Sequence, residues 1–308
     1  MTQQTAPVIN VAAGLMFGLL VAAQLSFTNS ATENKVTKTS KKINPEARYT
    51  PPPFPSQMSF AGENVPLERW DVKERFDREL LFNYYNKANV LFLLKLSNRY
   101  FPIISERLKQ HGVPDDFKYL AVAESNLLGG ARSHAGAVGY WQFMNGTAPA
   151  YGLKANNQVD DRYDIIKSTD AAAKYLKQAY AKFGTWTAAA ASYNCGMGGY
   201  NGQATFQGTK NYYDLLLPEE TNRYIFRILA FKHLLQNAEE LGFELKDEEA
   251  YTEIPYKTVT VSSSISNLST FARSHGTTYK MLKQMNPWLR GRSLSVKSGE
   301  QYTVKLPK

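Results

Sequence analysis

The chain has 308 residues, 43% of them hydrophobic, which is enough for a sizeable core and a second, smaller module. Charged residues make up 20% and aromatic residues 13%, so the composition excludes a collagen-like, coiled-coil or mainly disordered chain. The net charge is +9, but residues 256–308 hold nine Lys and Arg against one acid and residues 51–255 are nearly neutral, which argues against a nucleic-acid-binding body.

The first distinctive segment is an uncharged apolar stretch, VINVAAGLMFGLLVAAQLSF, at residues 8–27. It is long enough to cross a bilayer, and its small residues Val21-Ala22-Ala23 also suit a signal-peptidase site. We therefore expect residues 1–27 to be a cleaved signal peptide or a retained membrane anchor. The protein is expected to be exported to the cell envelope or periplasm, with membrane contact only through this segment.

A spacer and a helical domain are predicted next. Residues 28–60 are rich in Ser, Thr, Asn and Lys and then in Pro, which is typical of a flexible linker. Residues 61–237 show helical patterning and predict a mainly α domain. Four helices are predicted from capping residues. One starts at Phe101-Pro102 and ends at Gly112, the second starts at Asp115, the third runs from Ser168 to Gly184, and the fourth starts at Pro218.

The C-terminal part of the chain has a different pattern. Residues 238–255 are acidic and lack strong apolar runs, so we expect a linker. Strand-like alternation then begins at Tyr256, two short amphipathic stretches follow, and alternation returns at Gln301–Leu306. The order strand, helix, helix, strand predicts a small α+β module over residues 256–308.

The chemistry centres on Glu124. Phe117, Leu120, Ala121 and Glu124 share one helix face, so the carboxylate continues an apolar stripe that should face the core. Burial disfavours the charged form and raises the pKa, which suits a proton donor near neutral pH. On position alone, a structural acid satisfied by Ser125 or by a backbone amide is the favoured interpretation, and the features that follow change this.

Other features of the sequence favour an uncharged sugar ligand. Glycines punctuate residues 129–146 around the aromatic and amide side chains of YWQF, and ASYNCG ends an Ala-rich helix later in the chain. Glycines allow close backbone approach, while aromatic and neutral amide groups suit sugar faces. The single cysteine and four scattered histidines give no metal-ligand spacing, so we expect no metal and no cofactor.

Five segments together resemble a known family. These segments are ESNL at 124–127, GAVGYWQFMNGTAPAYGL at 136–153, DDRYD at 160–164, ASYNCG at 191–196 and LPEETNRY at 217–224. Their order resembles that of the lytic transglycosylases, in particular the membrane-bound lytic murein transglycosylase D type. The resemblance implies a lysozyme-like, mostly helical catalytic domain that acts on peptidoglycan.

The resemblance also implies roles for individual residues around the reacting bond. Glu124 would be the sole catalytic acid and base, Ser125 would orient Glu124 or the substrate N-acetyl group, and Tyr224 would lie near Glu124. Asn126-Leu127 depart from the family pattern, in which Gly or aromatic residues are common at these positions.

The remaining implied residues would bind the glycan. Gln142 and Met144 would line the cleft, and Tyr193 and Asn194 would contact the reacting sugar. Cys195 departs from the usual small residue that follows this Tyr-Asn pair.

The implied activity is cleavage of the β-1,4 bond between N-acetylmuramic acid and N-acetylglucosamine, with a 1,6-anhydromuramoyl product, in cell-wall remodelling. The expected partner is the peptidoglycan glycan strand, with no nucleic acid. Two alternatives stay open, namely a goose-type-lysozyme-like muramidase that hydrolyses the bond and a non-catalytic peptidoglycan-binding protein.

Residues 256–306 resemble a lysin-motif (LysM) domain, which binds glycans containing N-acetylglucosamine. The family's Gly-Asp-Thr-Leu after the first strand is replaced by Ser262-Ser263-Ser264-Ile265, so the module is degenerate. Its excess positive charge would attract the carboxylates of wall peptides, an attraction that salt weakens. A structural cap is the alternative.

Overall fold

The computed structural model describes residues 50–308. The expected signal peptide or anchor, residues 1–27, and the expected linker up to residue 49 lie outside the described residues. Within residues 50–308, no helix combines the length and the apolar character needed to cross a bilayer.

Residues 50–308 form eight α-helices and two small antiparallel sheets of two strands each. In chain order the elements are β1 Ser59–Phe60, β2 Glu63–Asn64, α1 Trp70–Tyr85, α2 Lys87–Gln110, α3 Lys118–Ser125, α4 Ile165–Phe183, α5 Trp186–Gln207, α6 Glu219–Gln236, β3 Tyr256–Val261, α7 Leu268–Ser274, α8 Tyr279–Met285 and β4 Tyr302–Pro307. The first six helices and the β1–β2 hairpin share one hydrophobic core, and the last four elements surround another. The predicted fold class, mainly α with a small α+β module, is confirmed.

The segment before α1 packs on the helical core, although the sequence places it in a linker. The ring of Phe54 lies 5.3 Å from that of Phe76, and Phe60 is fully buried 5.1 Å from the ring of Phe117. These aromatic side chains bury apolar area, which fixes residues 54–60 against the domain.

Helix α2 is longer than the sequence predicts, because it runs through Pro102 instead of starting there. A proline inside a helix removes one backbone hydrogen bond. Leu93 and Leu96 before it and Ile104 and Leu108 after it are all buried on one stripe. Core packing on both sides therefore keeps the helix continuous.

Helix α4 starts one turn earlier than the sequence predicts. The side chain of Asp164, not Ser168, accepts hydrogen bonds from the backbone amides of Ile166 and Lys167, at 2.9 and 3.0 Å. Aspartate is a strong helix N-cap because its oxygen satisfies free amides of the first turn. Ser168 is buried inside the helix. The predicted end at Gly184, in left-handed conformation, is observed.

Helices α5 and α6 place the later motifs in the centre of the domain. Helix α5 is broken at Gly196, whose φ of +76° is not helical. Helix α6 begins after Pro218, as predicted, and buries residues on most of its surface. A helix that is apolar on most sides belongs inside a core, so α6 forms the central support for α1, α3 and α5.

The C-terminal module has the predicted order of strand, helix, helix and strand. Strands β3 and β4 pair antiparallel with Val259 opposite Val304. The side chain of Asn286, which follows α8, donates to the carbonyl of Lys305 at 2.6 Å and accepts from its amide at 2.8 Å. This fully buried amide fastens the end of α8 to β4.

The module is docked on the helical domain through the loop before α4. Val159 of that loop is buried in the module's own hydrophobic core and pairs with Leu289 in an isolated β-bridge. The backbone amide of Arg290 donates to the carbonyl of Gln158 at 2.7 Å. Shared core and shared backbone hydrogen bonds make this contact part of the fold.

Residues 238–255, which the sequence assigns to a linker, form a strap along α2. Phe243 is buried, and the side chains of Asn98 and Arg99 donate to the carbonyls of Tyr251 and Thr252, at 3.1 and 2.8 Å. We call this segment the connecting strap. Its contacts hold the chain between the two cores in place.

Candidate active site

Glu124 lies in the last turn of α3, at the inner end of the apolar stripe that the sequence predicts. Phe117, Leu120 and Ala121 of this stripe are fully buried, and Glu124 itself is half-buried. Asn126 and Leu127 then adopt left-handed conformations, with φ of +51° and +58°. Two successive left-handed residues stop the helix abruptly, so the chain turns away directly after the carboxylate.

The carboxyl group of Glu124 accepts a hydrogen bond from the hydroxyl of Tyr224, which is buried on α6. Burial raises the pKa of Glu124 from 4.5 to about 7, although the hydrogen bond from Tyr224 and the positive charge of Arg227 both lower it. The carboxyl group is therefore present in both its protonated and its ionised form near neutral pH.

Arg227 supplies a positive charge that lowers the pKa of Glu124, and the carboxylates of two acidic residues lie near its guanidinium. Its guanidinium lies 3.0 Å from the carboxylate of Glu220 and 3.8 Å from the buried carboxylate of Glu79. Glu79 also pairs with Arg223 at 2.6 Å. The negative charge of Glu220 raises the pKa of Glu124 and so opposes the effect of Arg227, and desolvation remains the largest influence on that pKa.

Tyr193 of α5 lies close enough to Glu124 to respond to its charge. Burial and, next, the negative charge of Glu124 raise the pKa of Tyr193 well above 10, so its hydroxyl stays protonated. That hydroxyl donates to the carbonyl of Trp141 at 2.7 Å. The ring packs against Phe143 and Tyr175, with centroids 6.0 and 5.0 Å away. Tyr193 thus ties the loop around Trp141 to the helix that faces Glu124.

Ser125 is buried, and its hydroxyl lies 2.8 Å from the carbonyl of Tyr140 and 3.1 Å from that of Ala121. Since a serine hydroxyl has one hydrogen to donate, these two carbonyls share it. The structure therefore places the Ser125 side chain against the loop at Tyr140, where it positions the end of α3.

Gln142 sits at a tight turn of the same loop, with φ of +49°. Its amide nitrogen donates to the carbonyls of Gly139 and Ala131, at 2.8 and 3.2 Å. Gly139 has φ of +84°, and a Cβ there would lie 1.9 Å from the carbonyl oxygen of Arg162. Only glycine fits this position, so the turn that presents Gln142 depends on it.

Comparison with known proteins identifies the domain that carries this centre. Residues 101–215 match the family model described as "Transglycosylase SLT domain". These residues belong to the transglycosylase SLT family. The SLT domain is lysozyme-like and includes Glu124, Gln142 and Tyr193. Tyr224 lies beyond the matched range, and α6 brings it to Glu124 in space.

The C-terminal module and the full chain also have relatives. Residues 257–308 match the model described as "Soluble lytic transglycosylase C-terminal LysM-like domain". Two proteins named "Membrane-bound lytic murein transglycosylase D", from Escherichia coli strain K12 and from Escherichia coli O6:H1, are each 30% identical over 259 residues. The aligned part covers 81% of this chain and 55% of each relative, so the chain spans about half the length of the curated relatives it matches.

The last two predicted binding residues lie at different depths in the SLT domain. Met144 is 43% exposed at the end of the YWQF loop. The side-chain oxygen of Asn194 accepts a hydrogen bond from the hydroxyl of Thr221 at 2.7 Å, which fixes the amide's orientation. The structure thus brings Tyr193 and Tyr224 to Glu124, while Ser125 and Gln142 support the loop and Met144 lies at its surface.

The three aspartates just before α4 are paired with basic residues or cap the helix, so their carboxylates do not face Glu124 as free acids. Asp160 pairs with Arg162, Asp161 pairs with Lys167, and Asp164 caps α4. Within residues 50–308, no group of three or more His, Cys, Asp or Glu is placed to hold a metal ion. The acid–base chemistry available at the centre therefore rests on Glu124.

Two residues that position the site escaped the sequence analysis. Arg227 follows Tyr224 by three residues, so both lie on the same face of α6. This spacing in the sequence could have indicated that Arg227 lies near Glu124 together with Tyr224. Thr221 lies inside the LPEETNRY segment and reaches Asn194 from α6. The contact between Thr221 and Asn194 has no local signal in the sequence, because α5 and α6 meet only in the tertiary fold.

Proposed function

We propose that the SLT domain acts as a peptidoglycan lytic transglycosylase, which cleaves the β-1,4 bond between N-acetylmuramic acid and N-acetylglucosamine and leaves a 1,6-anhydromuramoyl product. The observation that supports this most is Glu124, a carboxyl group with a pKa of about 7 beside the tyrosines at 193 and 224. A group with this pKa can both give and take a proton at neutral pH.

In the first step, protonated Glu124 donates its proton to the glycosidic oxygen as the bond to C1 of the muramoyl sugar breaks. The N-acetyl group of that sugar stabilises the positive charge at C1, which replaces a protein nucleophile. A second carboxylate is not required when the substrate supplies the nucleophile. The engagement of Asp160, Asp161 and Asp164 elsewhere agrees with this scheme.

In the second step, Glu124 is a carboxylate and removes the proton from the C6 hydroxyl of the same sugar. The C6 oxygen then bonds to C1, the N-acetyl group returns to its starting state, and Glu124 is protonated again. Tyr224 stabilises the carboxylate between the two steps through its hydrogen bond. No water is consumed.

The other residues would position the glycan. Gln142 and Met144 line the path of the strand, and Tyr193 and Asn194 face the reacting sugar. Ser125 keeps the end of α3 against the loop, which fixes the direction of the Glu124 side chain. The family resemblance supports these roles, and the location of the residues in the SLT domain is compatible with them.

The deciding experiment is digestion of purified sacculi, followed by mass spectrometry of the released fragments. The expected products are anhydromuropeptides, which are lighter by one water than hydrolysed fragments. Products that all contain the added water would instead assign the domain to the goose-type muramidase class. No release by the wild-type protein would favour the binding-only alternative.

Glu124→Gln is the matched variant for this digestion, since it keeps the size and hydrogen-bonding capacity of the side chain but not its proton chemistry. It should release no fragments while its unfolding transition stays cooperative. Full activity of Glu124→Gln would remove Glu124 from the mechanism.

We further propose that the C-terminal module binds the glycan strand and that the protein works in the cell envelope. Retention of the full chain on insoluble peptidoglycan at low salt, weakened by added salt, is the expected behaviour. Lack of retention at low salt would contradict binding. Fractionation of the host cells tests the location, and recovery in the cytoplasm would contradict export.

A further inference from the structure

A polar cavity of about 830 Å³ lies where the SLT domain meets the C-terminal module. The loop that follows α3 contributes Arg132 and Met144, the loop before α4 contributes Asn156 and Asn157, and the module contributes Arg290. We call this space the junction cavity. Most of its lining residues belong to the SLT domain, and the module adds Arg290.

The junction cavity carries an uncompensated positive charge. Of its charged lining residues, Arg162 and Asp160 are both buried and neutralise each other through two hydrogen bonds of 2.8 and 2.9 Å. Arg132 and Arg290 remain, both exposed, and neither has an ion-pair partner within residues 50–308. The other lining residues are uncharged.

Arg290 is held in one orientation although it is exposed. Its guanidinium lies 4.2 Å from the centre of the Tyr163 ring, and one of its amino groups donates weakly to the carbonyl of Pro287 at 3.3 Å. Stacking on an aromatic face fixes the plane of a guanidinium and leaves its other N–H groups free. Such a fork matches a carboxylate in geometry and charge.

The junction cavity is close to the proposed glycan path. Met144 lines the cavity and is one of the two residues assigned to that path. Phe143, its neighbour, packs against Tyr193, whose pKa responds to the charge of Glu124. Met144 and Phe143 therefore connect the cavity wall to the residues around Glu124.

We propose that the junction cavity binds carboxylate groups of the peptide attached to N-acetylmuramic acid, through Arg132 and Arg290. The proposal rests on the proposed function, because it takes peptidoglycan as the substrate. The asparagine side chains of the same walls offer donors and acceptors for peptide groups. The cavity thereby makes the SLT domain prefer strands that still bear acidic peptides.

The test compares Arg132→Gln/Arg290→Gln with wild type on two substrates, glycan strands bearing peptides and strands stripped of them by an amidase. The kcat/KM of the double variant should fall about tenfold or more on peptide-bearing strands and stay within about twofold on stripped strands. Lys109→Gln/Lys177→Gln, which removes two exposed positive charges of the helical domain outside the cavity, is the matched control and should match wild type on both. Equal losses on the two substrates, or no loss on either, would overturn the proposal.

A binding measurement separates this proposal from the proposed function. With Glu124→Gln in both backgrounds, calorimetry compares a soluble disaccharide tetrapeptide with the same compound amidated at its carboxylates. The acidic peptide should bind about tenfold tighter than the amidated one, and the two arginine substitutions should abolish that difference. Equal binding of the two peptides to the Glu124→Gln background would overturn the proposal, even if the wild-type protein cleaves sacculi. If wild type cleaves no strand but discriminates the two peptides, the proposed function fails and the cavity assignment stands.

Discussion

Removal of the Tyr224 hydroxyl tests the link between the site's geometry and its proton chemistry. In Tyr224→Phe, Glu124 keeps its burial but loses the hydrogen bond that stabilises its ionised form. A hydrogen bond to a charged group contributes about 1.5–3 kcal/mol, which corresponds to about one to two pH units. The pKa of Glu124, about 7 in the wild-type protein, should therefore rise by that amount.

The pH dependence of kcat/KM on purified glycan strands measures this change. The proposed first step needs protonated Glu124, so activity should fall as the pH rises through the pKa of that group. In Tyr224→Phe this alkaline limb should move to higher pH by about one to two units, while the maximal rate falls because the carboxylate formed in the first step is less stable. Carbon-13 NMR of labelled glutamate carboxyl groups follows the same titration without substrate.

Tyr200→Phe is the matched control, since Tyr200 is also fully buried and its hydroxyl donates to a backbone carbonyl, that of Lys210, at 2.9 Å. Its pH profile should match that of the wild-type protein. An alkaline limb that stays in place in Tyr224→Phe, or moves to lower pH, would refute the assignment of this hydrogen bond to the ionised carboxyl group.

Three further outcomes are expected. Because the pKa of Glu124 is raised, the folded protein keeps a proton that the unfolded chain releases between pH 4.5 and about 7, so stability should fall as the pH rises through that window. In urea unfolding, Glu124→Gln should be more stable than wild type by about 3 kcal/mol at pH 8 and equally stable at pH 4. Lower stability of the variant at pH 8 would contradict this. Gly139→Ala should lower the free energy of unfolding by about 3 kcal/mol or more, measured by thermal unfolding, because its Cβ would lie 1.9 Å from a carbonyl oxygen. In the control Gly130→Ala the Cβ meets no atom within 4 Å, so equal melting temperatures for the two variants would disprove the steric argument. Leu289→Ala should cost about 2–5 kcal/mol of unfolding free energy, while Leu216→Ala, 72% exposed, should cost little; a small loss at Leu289 would mean that the module is not part of the folded core.

The periodic parts of the fold could be predicted from the sequence because they depend on local spacing. The stripe that ends in Glu124 is observed as expected, and so are the start of α6 at Pro218 and the alternating strands of the module. The family resemblance implied that Tyr224 lies near Glu124, and the structure places them in contact although a hundred residues separate them. Residue spacing alone gives no reason for that contact.

Two of the differences from the predicted fold share one physical cause, which is that tertiary packing overrode local signals. Pro102 reads as a helix start, yet buried leucines on both sides carry α2 through it. The connecting strap reads as a linker because it is acidic, yet its backbone carbonyls accept hydrogen bonds from side chains of α2. Such contacts join residues about 150 positions apart, and composition does not encode them.

The docking of the C-terminal module has a consequence for how a long polymer would be handled. A glycan-binding module on a loose tether gains from a high effective concentration, but it holds its ligand at variable distances from the reacting bond. Here Val159 is buried in the module's core and the strap is fastened along α2, so the distance between the module and Glu124 is set by the fold. Under the proposed function, a strand bound by both the module and the active site would be cut at a constant number of sugars from the module.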